Sequence, residues 1–242
     1  MTEGKTGRLA DRLALITGAS RGIGAAVAKR FAAEGAHVIL LARTVGGLEE
    51  VDDAIRADGG QATLVPVDLT DTQKVASLGP MLHERFGKLD VLVANAGFLG
   101  ALSPVAHSDP KLWQKVFDLN LTANYHLIQT LHPLLKIGPA GRAIFVTSSV
   151  ARRDKPFWGA YATSKAALEK MVSLYASEVG ETPIRVAIID PGRTDTAMRH
   201  AAYPGEPKGT HPAPESVAEI FVEAAEIDFD KNGAILQAQP DN

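Results

Sequence analysis

Seven short runs rich in Val, Ile and Leu constrain what this chain can fold into more than any other feature: residues 13–16, 37–41, 63–67, 89–94, 143–147, 185–189 and 234–236. They do not alternate apolar with polar residues, which is the pattern of strands buried on both faces. Stretches at helical spacing separate them, such as Ile23, Val27 and Phe31, or Leu168, Val172 and Tyr175. This alternation predicts an α/β fold, a doubly wound parallel sheet of seven strands with helices on both faces. The 242 residues, 45% of them hydrophobic, are enough for one sizeable core, and neither a linker nor a repeat divides them. A single domain over 1–242 is expected. The one irregular stretch, 201–215, carries Pro204, Gly205, Pro207, Gly209, Pro212 and Pro214, and reads as a mobile loop or lid over the site.

Composition removes several classes of function. Lys and Arg number 25 against 28 Asp and Glu, and a net charge of −3 supplies no basic field for nucleic acid. The absence of cysteine rules out disulfides, thiolate catalysis and Cys-built zinc sites. The seven histidines, among them His126, His132, His200 and His211, lack the close spacing of a zinc site, so no metal is expected. Trp113, Trp158 and Phe157 read as packing residues or pocket walls. The first ten residues hold Lys5 and Arg8 and no apolar signal core, and no run approaches the roughly 18 apolar residues of a membrane span. A cytoplasmic protein with no membrane partner is expected.

After the first run comes Thr17-Gly18-Ala19-Ser20-Arg21-Gly22-Ile23-Gly24, followed by a predicted helix over 25–34. Glycines between a strand and a helix let a pyrophosphate approach the free N–H groups and positive dipole end of that helix. By contrast, Gly4-Lys5-Thr6-Gly7 lacks the upstream strand and glycine of a nucleotide-triphosphate loop and reads as a mobile terminus. About twenty residues beyond a dinucleotide turn, an acid suits the ribose of NAD and a base suits the 2′-phosphate of NADP. Here the second run ends Leu41-Ala42-Arg43-Thr44, so Arg43, aided by Arg21, favours NADP(H) over NAD(H). Further on, Tyr161-Ala162-Thr163-Ser164-Lys165 opens a helical stretch with Tyr161 and Lys165 four apart on one face. A nearby ammonium, with an oxidised nicotinamide adding positive charge, would favour the phenolate and bring its proton into a range useful for acid–base work. The pair follows Ser148-Ser149 at the carboxyl end of the fifth run, the edge where open α/β sheets bind ligands.

With these motifs in order, the chain resembles the short-chain dehydrogenase/reductase family over nearly its whole length. The family's glycine turn is matched by Thr17, Gly18, Gly22 and Gly24, with Ser20 and Ile23 inside it. Asp68 corresponds to the adenine-side aspartate. Ala94-Asn95-Ala96-Gly97 matches the motif after the fourth strand, although Ala94 replaces the usual first Asn. Asn120 matches the helix asparagine of the catalytic tetrad, Tyr161 and Lys165 its Tyr-x-x-x-Lys pair, and 191–196 the Pro-Gly motif, where Arg193 is unusual. For the tetrad serine, spacing from the tyrosine selects Ser148 and the local pattern selects Ser149; Ser149 is preferred. Beyond these motifs, the chain most resembles a bacterial subgroup known only as oxidoreductases.

The resemblance implies a Rossmann-type fold and reversible hydride transfer between the cofactor and a small carbonyl or secondary alcohol, with a substrate loop around 197–215. It implies that Tyr161 exchanges the proton, Ser149 orients the substrate oxygen, Lys165 lowers the tyrosine pKa and bonds the nicotinamide ribose, and Asn120 holds a water reaching Lys165. Gly18, Ser20, Arg21, Gly22, Ile23, Gly24, Arg43, Asp68, Asn95, Ala96, Gly97, Thr194 and Thr196 fall to cofactor binding. Arg152, Arg153, Lys155 and Arg193 either make the substrate mouth cationic, which would suit an acidic substrate group, or form a solvated surface cluster. A homodimer or homotetramer is implied too, though the 233–242 end lacks the family's glycine-rich finish. The alternative is a catalytically silent dinucleotide sensor on the same fold, which would have no chemical need for the acid–base set.

Overall fold

The computed structural model describes residues 7–240, so most of the Gly4-Lys5-Thr6-Gly7 segment and the last two residues lie outside the described residues. Seven strands, β1 (Leu13–Thr17), β2 (His37–Ala42), β3 (Gln61–Pro66), β4 (Val91–Ala94), β5 (Arg142–Val146), β6 (Arg185–Asp190) and β7 (Ala234–Gln237), form one sheet in the order β3-β2-β1-β4-β5-β6-β7. Every pairing is parallel, for example Leu15 with Ile39 and with Leu92. Because β4 pairs with β1 after two strands have been laid on the other side, the strand order reverses between them, which opens a crevice at their carboxyl ends.

The period of two along each strand divides its apolar residues between two cores. Ala14, Ile16, Val38, Leu40, Ile144 and Val146 face one side, where they meet α1 (Gly22–Ala33), α2 (Val45–Ala57) and α8 (Ala218–Ala225) through Phe31, Leu48 and Phe221. Leu13, Leu15, Ile39, Leu41, Ala143 and Phe145 face the other, against α3 (Thr72–Phe86), α5 (Ala123–Leu135) and α6 (Gly159–Glu178) through Leu78, Leu131 and Val172. Six strands are thus buried on both faces; β7, at the edge, alternates half-buried with exposed. The first helix starts at Gly22, three residues before the sequence-based expectation.

Two shorter helices complete the set, α4 (Pro110–Phe117) and α7 (Ala197–Ala202). The irregular stretch therefore begins after α7 and runs to a 3-10 turn at Pro214–Val217. It is tied down: Arg199 Nε and Nη2 donate to Glu206 at 2.7 and 2.6 Å, His211 Nε2 meets Glu206 Oε1 at 2.9 Å, and the Gly209 amide donates to Asp195 at 2.8 Å. No helix among the described residues is long and apolar enough to cross a membrane.

Candidate active site

The carboxyl ends of β1 and β4 are stitched together by one residue. Thr17 Oγ1 accepts the amides of Asn95 and Ala96, both at 3.0 Å, and the Asn95 side-chain amide returns a 2.9 Å bond to the Thr17 carbonyl. Gly18, at φ +67°, turns the chain out of β1 in a conformation that L side chains rarely adopt. A Cβ on Gly24 would stand 2.3 Å from the Gly18 carbonyl oxygen and 2.6 Å from Asn95 Nδ2, so only glycine lets α1 start this close to the turn. Gly24→Ala is expected to cost roughly 1–3 kcal/mol by overpacking and to weaken dinucleotide binding; melting curves and cofactor titration check both.

Arg21 ahead of α1 makes no side-chain cap, as is also true ahead of α2, α5, α6 and α8, whereas Asp71, Asp109 and Thr196 cap α3, α4 and α7 through side-chain oxygens. The start of α1 is the one set against the glycine turn and the cavity. The first amides of α1 are left for an anion. Thr196 lies across from them, its methyl 3.7 Å from where a Gly22 Cβ would stand. These groups line one cavity of about 940 Å³. At one end it carries Ser20, Arg21, Arg43 and Asp68, and at the other Ser148, Ser149, Tyr161 and Lys165. Arg43 is 62% exposed, and its guanidinium lies 3.7 Å from Asp68. Burial works against the Asp68 charge, but the Thr70 amide and hydroxyl, with Arg43, outweigh it and hold the carboxyl below its ordinary value. The glycine cradle, the open helix start and a cavity of this volume fit a dinucleotide.

At the far end α6 brings Tyr161 and Lys165 to the mouths of β5 and β6. Lys165 is 2% exposed and its ammonium donates to the Val146 carbonyl at 2.8 Å. Burial pushes its pKa down to about 8, partly countered by the charges of Glu169 and Asp190. Tyr161 is pushed up to about 12, first by burial and then by Asp190, with a hydrogen bond to Ser148 working the other way. In the protein alone burial outweighs the lowering of the phenol by Ser148, and both Ser148 and Ser149 line the cavity beside it. Ser148 keeps extended backbone (φ −158°, ψ 150°) beyond β5, whereas Ser149 already begins a 3-10 turn.

The Lys165 pKa carries a stability consequence. Because the folded value lies below the ordinary lysine value of 10.5, the unfolded chain binds the extra proton between about pH 8 and that value. Stability rises with pH across this window, and the burial cost is present in full below it. Lys165→Met is therefore expected to melt higher than the parent near pH 7, by roughly 2–4 °C for each kcal/mol regained. The advantage should shrink as pH approaches 10; calorimetry across this range reads it.

Asn120 sits in a π-helical turn (Asp118–Thr122) and is fully buried. Its Oδ1 accepts the Phe98 amide at 2.8 Å, and its Nδ2 donates to the Phe98 carbonyl and to Ser164 Oγ, both at 3.0 Å. The Asn120 carbonyl accepts from Asn124 Nδ2 at 2.8 Å. A Cβ on Gly97 would lie 3.6 Å from Asn120 Oδ1 and 3.7 Å from Lys165 Nζ, so Gly97 sits beside both.

The cationic mouth needs a correction. Arg152 is taken up by two carboxylates, Asp190 at 2.6 Å and Glu169, whose Oε1 also accepts from Thr147 Oγ1 at 2.6 Å. Arg153, Lys155 and Arg193 do line the cavity, but Asp154 joins them. Lys155 Nζ meets the Tyr203 hydroxyl and lies 4.7 Å from the Trp158 ring centroid. Trp158 in turn packs edge-on to Tyr161 at 5.9 Å, forming an aromatic wall with Tyr203. Trp113 instead stacks on Phe117. His132 bonds the Tyr175 hydroxyl, and among the described residues no three His, Asp or Glu are grouped to hold a metal. Sequence reasoning also missed Gln239, which lines the cavity from the chain's end and belongs to no motif.

The short chain dehydrogenase family model matches residues 12–207. The uncharacterized oxidoreductase YciK of Escherichia coli K12 is 36% identical over 236 residues, covering 96% of this chain and 93% of that protein. A short chain dehydrogenase from Shigella flexneri 2a, solved with NADP, superposes with a TM-score of 0.92 at 36% identity, covering 98% of this chain and 100% of the other. One from Escherichia coli CFT073, solved with NADPH, gives 0.90 at 36% identity over 96% and 98%. By motif order, strand order and these likenesses together, this chain belongs to the short-chain dehydrogenase/reductase family, as an oxidoreductase.

Proposed function

We propose that the protein is an NADP(H)-dependent oxidoreductase that interconverts a small carbonyl compound and its secondary alcohol, with preference for NADP(H) over NAD(H). One observation carries this reading: a single cavity joins an arginine-bearing end at β2 to a buried Tyr161–Lys165 pair. The NADP and NADPH held by the Shigella and Escherichia relatives support the cofactor. Arg43 and Arg21 would pair with the 2′-phosphate, Asp68 and Asn95 would serve the adenosine side, and Gly18, Ser20, Gly22, Ile23, Gly24 and Thr196 would surround the pyrophosphate. Ala96 and Gly97 would wall the middle, and Thr194 would meet the carboxamide with main-chain groups. The bound nicotinamide supplies the hydride chemistry.

Tyr161 would give its phenolic proton to the substrate oxygen in reduction and take it back in oxidation. Ser148 would hold that oxygen. Lys165 would bond the nicotinamide ribose and favour the phenolate. The Asn120 side chain is spent on Phe98 and Ser164, so a water relay from Lys165 would use the Asn120 carbonyl, which keeps a second lone pair. Trp158 and Tyr203 would wall the substrate, with the segment around 197–215 closing over it. A homodimer or homotetramer working in the cytoplasm goes with this reading. Fluorescence titration tests the cofactor assignment: NADPH should bind at least about tenfold tighter than NADH, equivalent to ~1.4 kcal/mol. Equal affinities would contradict it.

A further inference from the structure

After β7 the chain continues beside the end of β6, where Gln239 and Pro240 line the cavity. The Ala238 amide donates to the Asp190 carbonyl at 3.0 Å, which brings Gln239 onto the loop of residues 191–194. There one side-chain amide serves three oxygens: Gln239 Nε2 donates to the carbonyls of Pro191 at 2.8 Å and Arg193 at 3.0 Å, and reaches Thr194 Oγ1 at 3.4 Å. The loop is shaped to receive it. Gly192 has φ +70°, and a Cβ there would stand 3.0 Å from Gln239 Cβ and Cδ, so the side chain packs directly on the glycine backbone. The other ties of this loop are few: Gly192 N to Asp190 Oδ1 at 3.1 Å, and Thr194 Oγ1 to the Pro191 carbonyl at 3.2 Å.

We infer that Gln239 is a positioning residue: by donating to Pro191, Arg193 and Thr194 it sets the 191–194 loop in the shape that receives the nicotinamide end of the cofactor. The inference rests on the reading above that this loop serves the nicotinamide end. All three partners are acceptors, so the role requires an N–H donor at this place. A glutamate has the same shape but no such donor, and it turns a negative charge toward three oxygens. On that reading the loop serves the nicotinamide end of the cofactor, and Arg43 with Asp68 the adenosine end. Loss of the clamp is therefore felt at one end alone.

Gln239→Glu and the uncharged Gln239→Met are to be titrated with NADPH and with adenosine 2′,5′-bisphosphate, which carries the 2′-phosphate but no nicotinamide. The expected result is an NADPH affinity lower by about tenfold, comparable to one net hydrogen bond, with the bisphosphate bound as in the parent. The effect should be smaller in the Met variant, which lacks the added repulsion. Unchanged NADPH affinity in both variants overturns the inference. So does equal weakening of both ligands with a lowered melting temperature, which would mark the tail as merely structural. If the parent itself binds neither ligand, the cofactor reading fails, and the role of Gln239 falls with it.

Discussion

Tyr161→Phe is expected to lower turnover by about a hundred- to ten-thousandfold, the usual worth of a placed general acid, while leaving NADPH affinity nearly unchanged. The ring would stay packed against Trp158, 5.9 Å away, and only the hydroxyl would be lost. Burial pushes the pKa of that hydroxyl up to about 12 in the protein alone. At neutral pH it is therefore available as a proton donor for carbonyl reduction. Oxidation of the alcohol needs the phenolate and reduction needs the phenol, so the rate of oxidation should climb with pH relative to that of reduction. Steady-state rates in both directions, beside a binding titration, separate loss of the acid from loss of the site. A variant retaining parental turnover would remove Tyr161 from the chemistry.

The second large effect concerns cofactor choice. Arg43→Asp replaces an exposed guanidinium at the end of β2 with a carboxylate. It removes a charge-assisted bond worth about 1.5–3 kcal/mol, adds repulsion toward a phosphate dianion, and supplies an acceptor for ribose hydroxyls. The ratio of kcat/KM for NADPH over NADH should fall by about a hundredfold or more, chiefly through KM. Asp68 lies 3.7 Å from Arg43, so the variant also leaves two acids side by side and deepens the repulsion. Unaltered discrimination would hand the choice to Arg21.

The seven strands and the helices between them were legible because they follow from local pattern, whereas the order β3-β2-β1-β4-β5-β6-β7 is set by pairing between distant segments. Seven apolar runs became seven strands, shifted at their ends by only one or two residues, and the glycine turn fell where β1 meets α1. Tyr161 and Lys165 came together because four residues make one turn of α6. What the sequence hid are contacts between distant segments. Arg152 reads as a free surface cation until Asp190 and Glu169, distant in sequence, are folded against it. Gln239 belongs to no motif, and its acceptors are main-chain oxygens that no side-chain pattern reports. Ser148 and Ser149 differ in where β5 stops being extended, a one-residue matter that apolar pattern cannot resolve. The burial that raises the tyrosine pKa in the protein alone was not legible, because neighbouring charge is visible in a sequence and depth of burial is not.

The most direct measurement is consumption of NADPH and of NADH with a panel of aldehydes, ketones, quinones and keto acids, with Tyr161→Phe run in parallel. Turnover that favours NADPH and collapses in the variant is the predicted result. Tight NADPH binding with no turnover of any carbonyl, or turnover indifferent to Tyr161, would contradict an oxidoreductase built on this pair.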